Sequence, residues 1–185
     1  PALYTLRAEV LRPGVSGDGP PALVDAVTTS MGFRSLRYDA NHGMYLNAQH
    51  TKVRGFCDHN DFGSFGMAVP DRIKLFRAQA SRSVGGNGRR TSHNAPDPSM
   101  LDIYDRVGVV VMDENRVIQN DTEHELEMRA LVARDRNHPS VTIWSCGNEA
   151  GCEGAFNQQG GPRFQAATYE LDGSRPTLAN MFTFG

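Results

Sequence analysis

Four polar pairs stand out along the second part of this chain: Asp58-His59, His93-Asn94, Asp113-Glu114 and Asn148-Glu149. Their side chains move protons and grip hydroxyl groups. A carboxyl or an imidazole gives or takes a proton during a reaction near neutral pH, and a carboxamide sets a donor beside an acceptor. Each pair taken alone also has a plain reading. A histidine beside a loop commonly sits at the surface or caps a helix, and Asp113-Glu114 suits the cap of a following segment. Asn148-Glu149 resists that reading. It closely follows the apolar stretch VTIWS, which contains Trp144, and burying a carboxylate costs several kcal/mol unless something compensates it. The basic cluster Arg82, Arg89 and Arg90 reads as a solvated face, with a sugar-phosphate or nucleic-acid contact as the weaker alternative.

The elements that must position these residues change character near residue 52. Before it, Leu6, Ala8 and Val10 alternate with Arg7 and Glu9, the period of a half-buried strand. The segment PGVSGDGPP is a loop by composition, and LVDAVTTSM, FRSLRYDA and MYLNAQH follow as further strands. Too few strands are present for a whole antiparallel sandwich. After residue 52, strands alternate with helices. KVRGFC precedes a helix that Pro70 and Asp71 open, with Ile73, Phe76, Ala80 and Val84 on one face. GRRTSH precedes a helix from Pro98 to the stop at Gly108. VGVVVMDE has the continuous apolar run of a strand buried on both faces, and Thr122 with Glu125 forms a capping box for the helix after it. VTIWS, a less regular helix over 162–172 and TLANM complete the series.

Each polar pair therefore falls at the C-terminal end of successive strands in an α/β alternation, where a (β/α)8 barrel gathers its reactive groups. A doubly wound sheet would bring a glycine-rich phosphate loop after its first strand, and RGFCDHNDFGSFG lacks that spacing. In 185 residues, 19 Lys and Arg stand against 21 Asp and Glu, a net charge of −2 that argues against a polyanion-binding protein. With 39% hydrophobic residues and a mean hydropathy of −0.46 a core can form, and the lack of any apolar run of about 20 residues argues against a membrane span. The first residues form an extended pattern rather than a charged and then apolar leader, so a cytoplasmic location is expected. Cys57, Cys146 and Cys152 lack metal or redox spacing and read as free thiols.

Three stretches, VRGFCDHNDFG, RTSHNAPDPSMLDIYDRVGVVVMDENR and RDRNHPSVTIWSCGNE, resemble glycoside hydrolase family 2, most closely its β-galactosidase branch. The resemblance implies that residues 1–52 end an immunoglobulin-like β-sandwich domain. Residues 53–185 would then form the N-terminal half of a TIM-type (β/α)8 barrel, about four to five βα units. It implies a retaining O-glycosyl hydrolase acting on β-galactosides, with Glu149 as general acid/base and Asn148 hydrogen-bonding the sugar 2-hydroxyl. His59 and His93 would line the sugar subsite, and Asp113 and Glu114 would be further substrate-site residues. Some members hold magnesium through a Glu and a His just after the DE motif. Those places are Ile118 and Asn120 here, so no metal and no cofactor are expected. A full barrel takes roughly 250 residues, more than follow residue 52, so the family's nucleophile on the seventh strand is expected outside this chain. The open sheet edges of a part-barrel predict self-association or pairing with the other barrel half. The alternative reading is a non-catalytic carbohydrate-binding or structural remnant.

Overall fold

The computed structural model describes residues 1–13, 20–149, 158 and 160–178. β1 (Tyr4–Arg12) and β2 (Ala22–Met31) form an antiparallel ribbon, and β3 (Leu36–Asp39), β4 (Gly43–Leu46) and β5 (Gln49–His50) form a second small sheet. The alternation in β1 predicts one buried face, yet the whole strand is exposed. Two strands alone have no layer to bury a face against.

The rest alternates strand and helix: β6 (Gly55–Asp58), α1 (Asp71–Ser83), β7 (Gly88–Thr91), α2 (Pro98–Val107), β8 (Val110–Glu114), α3 (Thr122–Asp135), β9 (Val141–Ser145), α4 (Gly161–Leu171) and β10 (Thr177–Leu178). The five strands are parallel, in the order β10-β9-β8-β7-β6, so each strand lies beside its neighbour in sequence. That order, with a helix between successive strands, makes the unit a partial (β/α)8 barrel. Its core lies between sheet and helices, around Leu101, Ile103, Tyr104, Val111, Met128, Val132, Trp144 and Phe164.

Local chemistry explains several boundaries. Asp97 caps α2 by accepting from the Ser99 amide at 2.9 Å, and Gly108 ends the helix at φ 76°, a backbone state that glycine enters without penalty. The cap of α3 is Asp121, whose carboxylate accepts from the His124 amide, one residue before the expected Thr122. The buried face of α1 also differs from expectation. Lys74, Ala78 and Ser81 are buried, while Phe76 and Val84 are exposed. This helix packs over polar strand residues, and Lys74 is tolerated because its ammonium reaches Asp97 at 2.8 Å, Ser99 at 2.7 Å and Asp71 at 3.1 Å.

The segment before the barrel docks on the start of β9. Arg34 donates to the carbonyls of Pro139 and Val141 at 2.6 and 2.5 Å, and the Tyr38 hydroxyl donates to that of Thr142 at 2.9 Å. On the inner side of the sheet, Tyr38, Met44, Val53, Met112 and Ile143 line an apolar groove of about 370 Å³. Among the described residues, no helix is long and apolar enough to cross a membrane.

Candidate functional site

Strand parity sorts the polar pairs. In β8, Val111 and Asp113 face the helices, whereas Met112 and Glu114 face the inside of the sheet. Parallel pairing sets Arg90 opposite Met112, and Glu114 opposite Ser145. Glu114 is fully buried, and its neighbours supply donors to both oxygens. Arg90 Nε reaches Oε2 at 2.8 Å and Arg90 Nη2 reaches Oε1 at 3.0 Å, a two-pronged pair. The Ser145 hydroxyl donates to Oε2 at 2.8 Å, and His93 Nδ1 lies 2.9 Å from Oε1. The same Nδ1 lies 3.2 Å from Arg90 Nη2, so it donates to Glu114 in one tautomer and accepts from Arg90 in the other. Burial disfavours the Arg90 charge, but the hydrogen bond and field of Glu114 outweigh it and raise the guanidinium pKa.

Arg90 also reaches the next strand end. Its Nη2 donates to Asn148 Oδ1 at 2.5 Å, which orients that carboxamide. Glu149 follows in an exposed position with φ 55°, a left-handed backbone state that is uncommon for a residue with a side chain. Beyond β6, the His59 ring meets the His93 ring edge-on at 5.3 Å. The structure therefore brings His59, His93, Glu114 and Asn148 to one end of the sheet, with Glu149 the residue after Asn148.

Asp113 is the exception. It lies on the opposite face of β8, buried against the helices. Its Oδ2 meets no donor, and Asp135 lies beside it with both oxygens held by Arg134 at 2.6 Å. Burial first, then the charge and hydrogen bond of Asp135, push the Asp113 carboxyl well above the usual carboxylate range. Asp113 thus sits in the wall behind the site, a consequence of adjacent strand residues pointing to opposite faces.

Arg90 was expected on a solvated face, together with Arg82 and Arg89. Instead it is the hub of the site, and Arg89 is buried toward the helices, 3.8 Å from Asp58. The signal for Arg90 was its place near a strand end, in register with a strand whose buried Glu114 requires a cation. Ile118, one of the two places that the resemblance above marks for a magnesium ligand, is buried in the core and offers no oxygen or nitrogen side-chain ligand. Elsewhere, Asp102, Asp105 and His138 cluster on α2 and before β9, where His138 Nδ1 pairs with Asp105 at 2.6 Å.

Residues 40–128 and 118–180 match the model of the TIM barrel domain of glycosyl hydrolases family 2. The chain belongs to glycoside hydrolase family 2. A β-galactosidase of Bacteroides ovatus is 39% identical over 161 residues, covering 80% of this chain and 18% of its own length. A putative β-glucuronidase of Formosa agariphila is 32% identical over 161 residues, covering 80% of this chain and 15% of its own length. Among solved structures, a family 2 member from Bacteroides cellulosilyticus superposes with a TM-score of 0.84 at 28% identity, over 97% of this chain and 24% of that one. A β-glycosidase from Bacteroides vulgatus gives 0.83 at 29%, over 96% and 23%. The chain thus spans less than a fifth of these two sequence relatives.

Proposed function

We propose that this chain carries the acid/base half of a retaining glycoside hydrolase active on β-galactosides. In this reading Glu149 protonates the departing glycosidic oxygen, then withdraws a proton from the water that releases the sugar. His59 and His93 line the sugar subsite. The observation that carries the reading is the Arg90–Asn148 hydrogen bond. With Oδ1 committed to Arg90, the Asn148 amide presents its N–H donors outward, as a contact to the sugar 2-hydroxyl requires. That contact contributes most as positive charge develops at the anomeric carbon.

Glu114 does not serve as the second carboxylate in this reading. Both its oxygens already accept from Arg90, and Ser145 and His93 add to them. We assign Glu114 the role of anchoring Arg90 and His93, and place the nucleophile on strands beyond these residues. No step is routed through magnesium, given the alkyl chain at Ile118.

The test is hydrolysis of nitrophenyl β-galactoside and nitrophenyl β-glucuronide by this chain joined to the strands that supply the nucleophile, with Glu149→Gln in parallel. Faster turnover of the galactoside is expected, falling on the order of 10²–10⁴-fold in the variant. Preference for the glucuronide would overturn the substrate. Unchanged turnover in Glu149→Gln would overturn the role of that residue. Sugar binding without turnover, unaffected by Glu149→Gln, would point to a binding remnant.

A further inference from the structure

Behind the two histidines lies a second set of charged groups that the proposed reaction does not use. Arg77 sits midway along α1, with its side chain largely buried. Its Nη2 donates to the carboxylate of Asp58, the last residue of β6, and to the main-chain carbonyl of His59 at 2.9 Å. Its Nη1 donates to the carbonyl of Asp61 at 3.0 Å. The Asp58 side chain is only 9% exposed, and it accepts from the Tyr104 hydroxyl of α2 at 2.7 Å. Burial pushes the Tyr104 phenol up to about 12, so it stays a donor throughout the neutral range.

The same loop is tied to its neighbour. Asn60 Nδ2 donates to the Ala95 carbonyl at 3.0 Å, joining the segment after His59 to the segment after His93. One guanidinium therefore meets a strand end and two carbonyls of the loop that carries His59. Several directed donors in one plane are what an arginine supplies and a lysine does not.

We propose that Arg77 is a positioning residue. By fixing the carbonyls of His59 and Asp61 to the Asp58 carboxylate, it holds the His59 ring against His93 at the edge of the sugar subsite. Its effect on turnover rests on the glycosidase reading, whereas its effect on the ring does not.

The experiment compares Arg77→Met, Arg77→Lys and, as a control on the exposed side of the same helix, Arg72→Met. Imidazole NMR signals of His59 and His93 are assigned with His59→Gln and His93→Gln. Both Arg77 variants should move the His59 signal and its ring-current partner at His93, leaving His124 and His138 in place. Arg72→Met should move none of them. Should Arg77→Met fail to fold, Arg77→Lys decides, because it keeps the charge facing Asp58 and loses the fork. Unmoved His59 and His93 signals in a folded Arg77 variant would overturn the proposal. On nitrophenyl β-galactoside, with the nucleophile strands present, kcat/KM should fall on the order of 10²-fold in Arg77→Met, with no further fall when the change is added to His59→Gln. Additive losses would also overturn it. A wild-type protein that holds the nucleophile strands and leaves the galactoside intact would remove the glycosidase reading, and the ring signals would still decide Arg77.

Discussion

Replacing Arg90 by methionine should cost far more than an ordinary arginine substitution. The reason is Glu114, which is fully buried and receives both prongs of the guanidinium. Removing the guanidinium takes the two-pronged cation away from a buried carboxylate, at about 3–5 kcal/mol. At this chain length that corresponds to a fall in Tm on the order of 10 °C. Adding Glu114→Gln to Arg90→Met removes the buried charge, and the remaining amide can still accept from Ser145, so the double variant should recover about 2 kcal/mol. Urea denaturation of the wild type, both single variants and the double closes the cycle. An Arg90→Met loss below about 1 kcal/mol, or a double variant no more stable than Arg90→Met, would refute the assignment of Arg90 as the compensating cation.

Asp113→Asn should change how stability depends on pH. Because the folded-state pKa of Asp113 is raised, its contribution is intact below the unfolded carboxylate pKa and declines as pH rises toward the folded value, by up to about 1.4 kcal/mol per pH unit. Wild type should therefore lose ground to Asp113→Asn as pH rises from about 4, and parallel curves would exclude a buried titrating acid. For His138, burial lowers the pKa but the hydrogen bond and charge of Asp105 outweigh it, and the net shift is upward. Its stabilisation should be complete below about pH 6.5 and fade at higher pH, so the Tm gap to His138→Gln should narrow between pH 6 and 9. Burial pushes the Cys146 thiol up to about 12. In a Cys152→Ser background a thiol reagent should label exposed Cys57 in the native protein and reach Cys146 only on unfolding; equal labelling of both would count against the packing.

The alternation of strand and helix was legible because glycine, proline and apolar runs mark each boundary, and Gly108 and Pro98 fall where the helix they delimit stops and starts. The polar strand ends were legible for the same reason. What pattern alone obscured was facing. Asp113 and Glu114 are neighbours in sequence and opposites in space, so treating them as one pair hides the buried acid in the wall behind Glu114. Arg89 and Arg90 were grouped by charge, although one turns to the helices and the other to Glu114. In α1, the apolar spacing of Ile73, Phe76 and Val84 suggests a buried face, but that helix turns Lys74 to Asp97 and Arg77 to Asp58, and its packing is set by ion pairs that hydropathy does not register.

The seams between βα units carry the tethers of this site. Asn60 of one unit holds Ala95 of the next, Glu114 of the third holds His93 of the second, and Arg90 of the second holds Asn148 of the fourth. A chimera that exchanges a single strand-and-helix unit with a homologue would cut such a tether on at least one side. The units here are not interchangeable cassettes. Recombination should succeed only when the block from β6 through Asn148 travels intact.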